Sequence, residues 1–514
     1  MNNRTSIPNT PIVDRWLIII AVMSATLIQV LDTTIVNVAL PHMQGALGAA
    51  PDQISWTLTS YIIASAIFMP LTGYFTDRLG RKTYLLLCIG GFTICSAFCG
   101  AAQSLTAMVL FRVLQGFFGA GLVPLSQAIM TDIHSKEELG KAMAIWGIGV
   151  MVGPILGPTI GGYLTEYVNW RWIFYVNLPV GLFAFALALY AVPDTLKKKR
   201  ALDWFGFIFV SLAIGATQFF LDRGNQKDWL SDRGMCFALF IAITTLIVFL
   251  LHNLRSKGSM VFDMRIFKDR NFTVASLLLV MFGVGLYGNM VVRPLLMENL
   301  LNYPVLTTGM VMAPGAICSM ISMIIVGKLV NRYDPRLFIT IGILLSVLGG
   351  YFCTQINQTI DTWWLIWPFL IQGFGMGMVF LPLSVIAFST LPNQARVEAA
   401  GLYSLLRTFG SSIGIAITLT VLTRQSQIAW QKLSGFIQPY NPALYHYLQP
   451  LHLAPKHPLA VAMLGNELAN QTQIIAYVNV YAFVMWSFLL MVPLVLLLKY
   501  KKQIGSEKSL ITND

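Results

Sequence analysis

The stretch Gly147-Ile-Gly-Val-Met-Val-Gly153-Pro154-Ile-Leu-Gly157-Pro158-Thr-Ile-Gly161-Gly162 lies inside a long apolar segment. Its glycines at 149, 153, 157 and 161 recur every fourth residue, which puts them on one slowly drifting face of a helix. In a bilayer such a face lets a neighbouring backbone approach closely. Pro154 and Pro158 each remove an amide donor and disturb bonding to the carbonyl four residues back. The spacing therefore predicts a smooth, bent helix that packs tightly yet can pivot. A packed membrane helix that merely contains several glycines shares the pattern, so the rest of the chain must decide between the two.

Composition narrows the choice. The 514 residues are 56% hydrophobic and 11% charged, with a mean hydropathy of +0.68, which excludes a string of soluble domains and marks a polytopic membrane protein. A formal charge of +12 could suit nucleic acid, but the basic residues sit in short loops between apolar spans, so no nucleic-acid partner is expected. The six cysteines fall within apolar segments without zinc-ligand spacing and read as small core residues. The first apolar segment is too long for a signal-peptide core and shows no clear cleavage site, so it is expected to be retained.

Segments long and apolar enough to span a bilayer lie near 16–40, 55–74, 83–103, 105–131, 141–165, 172–192, 204–221, 234–252, 272–297, 307–328, 337–354, 363–388, 397–423 and 474–498, fourteen in all. An even number puts both termini on one side. Loops on that side and the C-terminal tail hold twenty-four Lys and Arg, and the opposite loops hold seven. The positive-inside rule then places both termini in the cytoplasm.

The chain repeats itself. Gly73-Tyr-Phe-Thr-Asp77-Arg78-Leu-Gly80-Arg81-Lys82 follows the second span, and Gly327-Lys-Leu-Val-Asn331-Arg332-Tyr-Asp334-Pro-Arg336 follows the tenth. Gln115-Gly-Phe-Phe-Gly in the fourth span is echoed by Gln372-Gly-Phe-Gly in the twelfth. We expect an all-α membrane protein of two related six-helix bundles with an inserted helix pair: residues 1–200, an inserted segment and connector at 201–271, and 272–514. The basic connector 253–271 is expected to lie on the surface, and 424–473, with five prolines, reads as a long outward loop.

Leu31-Asp32-Thr-Thr-Ile-Val-Asn37-Val-Ala-Leu-Pro41 places a carboxylate well inside the first span, where a charge is costly and marks function by default. A structural partner that locks helices together is the alternative. This stretch and GxxxGPxxGPxxGG together resemble the fourteen-span drug:proton antiporter family of the major facilitator superfamily. The resemblance implies that fold and proton-driven export of drugs. It marks Gly149, Gly153, Pro154, Gly157, Pro158, Gly161 and Gly162 as the antiporter motif. Gly73, Asp77, Arg78 and Arg81 match the superfamily's loop motif, whose aspartate can cap a neighbouring helix and pair with an arginine to latch the closed state. Asn331 stands in its place in the second half, so the latch is expected to be weaker there.

Arg112, three residues before Gln115, matches a fourth-span motif implicated in proton transfer. Phe369 stands in the arginine's place in the second half, which confines proton handling to the first. Counting from the outer span ends, Asp32 and Arg112 lie at similar depths of roughly 12 and 10 Å, so Arg112 is expected to set the properties of Asp32. Asn37, Gln115 and Arg407 are expected to line the substrate cavity or pack helices. Arg293 is unexpected in an apolar span. It either snorkels outward to Glu298, the preferred reading, or favours anionic drugs.

Asp222-Arg223-Gly224, Asp228-Trp229, Asp263, Phe267 and Asn271-Phe272-Thr273 further resemble the EmrB-type members of that family. That resemblance implies an inner-membrane pump with a periplasmic adaptor of the membrane-fusion class and a TolC-like outer-membrane channel. The substrates implied are hydrophobic or amphipathic drugs. Export of one defined metabolite or siderophore, and a non-transporting membrane sensor, are the alternatives. Gly283-Val-Gly285-Leu-Tyr-Gly288 sits inside a span and follows no strand, so it is not a dinucleotide site. With no Walker A sequence, no metal-ligand spacing and no nucleophile–base cluster, the chain reads as neither an ATPase nor an enzyme, and no cofactor is expected beyond a proton gradient.

Overall fold

A computed structural model describes residues 12–135, 138–198, 201–255, 261–357, 360–438 and 440–499. The described residues are helical, without a strand among them. Fourteen helices are long and apolar enough to cross a membrane: α1 (Arg15–Ala46), α2 (Trp56–Leu79), α3 (Arg81–Ala101), α4 (Leu105–Asp132), α5 (Leu139–Tyr167), α6 (Trp172–Ala191), α7 (Trp204–Arg223), α8 (Arg233–Arg255), α9 (Arg270–Leu300), α10 (Val305–Leu329), α11 (Pro335–Cys353), α12 (Thr362–Ser389), α13 (Arg396–Ser434) and α14 (Pro458–Val495). Helix is the economical solution because each segment must satisfy its own backbone polar groups in lipid. Short polar residues start several of them. Ser104, Asp203, Asp269, Asp334 and Asp361 each accept a bond from an amide in the first turn of α4, α7, α9, α11 and α12.

In the first half α1 packs on α5 and α6, and α4 on α2 and α3; in the second, α12 packs on α10 and α11, and α9 on α13. The inserted α7 lies against α2 and α13, one from each half, and α8 covers α7. The halves meet along α5 and α10. On the face bearing the Lys- and Arg-rich loops, buried side chains from both halves form one apolar cluster that includes Met143, Trp146, Met323 and Phe380. Toward the opposite face the halves keep separate clusters, one around Ile35, Cys99 and Phe174 and one around Val292, Phe369 and Tyr481. The structure is thus closed on the basic face.

Three expectations change. The stretch 424–473 is mostly helix: α13 continues to Ser434, α14 begins at Pro458, and a short helix, Pro442–Leu448, lies between them. Leu444 and Leu448 bury against Ala460 and Leu464, so this outer hairpin has a small core of its own. Hydropathy missed the helical extensions because residues such as Gln425, Gln427 and Lys432 favour helix without being apolar. The connector is only partly on the surface: Arg265, Lys268 and Arg270 are exposed as expected, and residues 256–260 lie outside the described residues. Val261, Phe262 and Ile266 are buried in the basic-face cluster, with Phe262 against Phe249. Of the cysteines, Cys88, Cys95, Cys99 and Cys353 are buried as expected, whereas Cys236 is exposed.

Candidate functional site

Asp32 is at the centre of a polar cluster sealed inside the first half. Arg112 donates from Nη1 to Asp32 Oδ2 at 2.6 Å and to Gln115 Oε1 at 2.8 Å. Gln115 Nε2 and Asn177 Nδ2 donate to Asp32 Oδ1 at 3.0 and 3.2 Å. Asp32, Arg112, Gln115 and Asn177 are each 0% exposed. Arg112 and Gln115 reach the same carboxylate because residues three apart share a face of α4. Gly116 lets α4 approach α2 closely: a methyl group there would sit 2.5 Å from the Tyr61 carbonyl oxygen. Arg112 also donates from Nε to the Thr57 carbonyl at 2.9 Å, and its guanidinium lies 4.2 Å from the centre of the Tyr61 ring.

The sequence reading paired Asp32 with Arg112, but it expected Gln115 only to line the cavity or pack helices, and it missed Asn177 and Tyr61. Asn177 is anchored to Ser96 at 3.1 Å. The available signal was a lone amide at the start of an apolar run, which many membrane helices show. Asn37 stands apart from the cluster. It is exposed on α1 and reaches the Thr33 carbonyl of its own helix at 3.4 Å. Arg407 is half-buried on α13, 5.9 Å from the ring centre of Trp146, which stacks on Phe380 at the junction of the halves.

Arg293 corrects the preferred expectation. It does not snorkel toward Glu298. It turns inward, donates to Gln372 Oε1 and lies 3.8 Å from the centre of the Phe369 ring. The aromatic face and the amide offer an inward partner that the sequence reading did not weigh.

The glycine face of α5 packs on the helix that carries Asp32. Helix α5 is continuous through Pro154 and Pro158; the Pro154 side chain lies outside the described residues. Gly149 faces Met23, Gly153 faces the backbone of Val30 and Leu31, Gly157 faces Thr34, and Gly161 faces Ile35. Thr34 Oγ1 donates to the Gly153 carbonyl at 3.1 Å. A second small face of α5 meets the other half. Gly140 faces Val330 and Gly327, Gly147 faces Met323, and a methyl at Gly162 would lie 3.2 Å from Val305 Cγ1. The motif thus joins the acidic helix to the junction between the halves.

Residues 22–415 match the family described as Major Facilitator Superfamily. The chain belongs to this superfamily. Its similarity to Multidrug export protein EmrB of Escherichia coli (strain K12) is 31% identity, covering 93% of this chain and 94% of that protein. Fatty acid resistance protein FarB of Neisseria gonorrhoeae is also 31% identical, with 92% and 94% covered. Among solved structures, the human organic anion transporter MFSD10 (TETRAN) superposes with a TM-score of 0.62 at 15% identity, over 95% of this chain and 100% of that one, a likeness of fold. Membership makes this chain a multi-pass membrane transporter of the superfamily and not an enzyme.

The residues expected to latch the closed face lie among a wider set of contacts on that face. Asp132 at the end of α4 receives both Arg81 of its own half and, at 3.4 Å, Arg396 of the other. Arg396 also donates to the Thr131 carbonyl at 3.3 Å. Gly73 packs on Glu398, whose carboxylate accepts from the Asp263 amide. The Asp77 carboxylate lies 3.8 Å from Lys198 Nζ, and Arg78 donates to Tyr74 at 2.7 Å. Asp132, Arg396 and Glu398 escaped the sequence reading because each is unremarkable at the end of a span.

Proposed function

We propose that this transporter exports hydrophobic or amphipathic toxic compounds across the bacterial inner membrane, with both termini cytoplasmic, in exchange for entering protons. The observation that carries the reading is the buried Asp32–Arg112 pair at 2.6 Å on the helix gripped by the antiporter glycines. The relatives named for multidrug export and fatty acid resistance support the substrate class. Breaking a buried ion pair by removing one charge costs about 3–5 kcal/mol, so protonating Asp32 would free Arg112 only if the surroundings rearrange with it. Rocking of the halves about the α5–α10 seam is that rearrangement. It would open the Asp32 cluster, inside the first half, to water or substrate on one side. Each entering proton supplies roughly 2.3 kcal/mol per 100 mV of membrane potential.

The outer hairpin would dock a periplasmic adaptor of the membrane-fusion class, which leads on to a TolC-like outer-membrane channel. Its separate core, formed by Leu444, Leu448, Ala460 and Leu464, supports an ordered docking element. The test of proton coupling is drug-induced proton release from detergent-solubilised protein in weak buffer. The parent should release protons when a transported dye is added, and Asp32→Asn should not. Equal release from both would overturn the assignment.

A further inference from the structure

The internal repeat places a second polar cluster in the second half, with its charge inverted. Gln372 is the repeat of Gln115, and Phe369 stands where Arg112 would be. In the first half Gln115 faces a carboxylate contributed by α1. In the second half Gln372 faces an arginine, Arg293, contributed by α9. The first cluster is neutral, because Asp32 offsets Arg112. The second carries one positive charge. The titratable neighbours close enough to interact with Arg293 are Cys353 and Tyr481, and no carboxylate pairs with it among the described residues.

The donors of this cluster outnumber its acceptors. Arg293 Nε, Gln372 Nε2 and the Tyr481 hydroxyl are buried, and none has a hydrogen-bond partner among the described residues. Arg293 is 8% exposed, Gln372 0% and Tyr481 1%. Arginine does not discharge itself by losing its proton, so the imbalance persists at any working pH. An unpaired cation with orphaned donors in an apolar setting is unfavourable until an anion joins it. Phe369 and Tyr481 belong to a buried apolar cluster with Val292, Leu296 and Val480, which can take hydrocarbon but no charge.

We propose that Arg293, Gln372 and Tyr481 form an anion subsite that receives the carboxylate of an amphipathic substrate whose apolar tail packs on this cluster. The planar fork of the guanidinium suits a two-oxygen acceptor, and Gln372 and Tyr481 supply further donors. The subsite lies in the half that lacks the Asp32–Arg112 pair, so charge recognition and proton handling are divided between the two repeats. This rests on the transport reading above and names a substrate class for it.

The test is equilibrium binding to the full-length protein in nanodiscs of neutral lipid at pH 8, without a proton gradient, so that its outcome is separate from that of the proton-coupling assay. The probes are dodecanoate, dodecanol and dodecyltrimethylammonium. The parent should bind dodecanoate at least about tenfold more tightly than dodecanol, the size of a charge-assisted hydrogen bond. Arg293→Gln should abolish that preference and leave the other two affinities unchanged, and Arg293→Lys should retain part of it. Gln372→Glu places a carboxylate against Arg293. It should abolish dodecanoate binding while raising the unfolding temperature. The proposal fails if the parent shows no preference for dodecanoate. It also fails if Arg293→Gln keeps the preference or weakens all three probes alike, or if Gln372→Glu leaves dodecanoate binding intact.

Discussion

Gly153→Ala adds one methyl group where α5 grips the helix that carries Asp32. The new carbon would lie 2.6 Å from Val30 Cγ1, 2.7 Å from the Val30 carbonyl carbon and 2.9 Å from the Leu31 amide nitrogen. Ordinary carbon contacts begin near about 3.5 Å, so α1 must withdraw by roughly 0.8 Å. The Val30 side chain can rotate away, but its backbone cannot. Overpacking of this kind costs about 1–3 kcal/mol. Asp32 is two residues from Val30, so the same shift disturbs the 2.6 Å bond to Arg112. Gly465→Ala on α14 is the control, because a methyl there meets nothing within 4 Å. Both substitutions gain the same helix propensity, about 0.5–1 kcal/mol, so their difference isolates the packing cost. Thermal unfolding in detergent and dye efflux from proteoliposomes under an imposed pH gradient measure the two effects. Gly153→Ala should be less stable than Gly465→Ala and should lose most of its efflux. A Gly153→Ala protein as stable and as active as the control would refute the reasoning.

Arg396→Gln removes one of the charges held by Asp132 across the closed face; a lost charge-assisted bond of about 1.5–3 kcal/mol shifts the open fraction by roughly tenfold or more. Spin labels at Lys141 and Arg332, both exposed on that face, should report a longer distance distribution, and an unchanged distribution would show that other contacts hold the closure. Replacing residues 436–457 with a short flexible linker should abolish crosslinking to a co-expressed adaptor while leaving efflux in isolated vesicles intact; persistent crosslinking would place the docking surface elsewhere.

The sequence alone determined the number of spans, the repeat and the superfamily, because apolar length and glycine spacing are local quantities that a bilayer and a helix read directly. It also singled out Asp32, since a carboxylate inside a span has little reason to be there except function. Depth arithmetic could pair Asp32 with Arg112 because both helices run the same thickness of membrane. It could not find Asn177, whose amide reaches Asp32 only through the packing of α6 on α1. Nor could it aim Arg293. A long side chain near a span end can turn either way, and the choice fell to the Phe369 ring and Gln372 on another helix. The outer hairpin and the buried residues of the connector were hidden for a related reason. Their residues are too polar to register as spans, and their burial depends on neighbours distant in sequence, such as Glu398 beside Asp263. What a residue faces across a helix interface is a property of tertiary packing, and one strand of sequence carries no record of its neighbours.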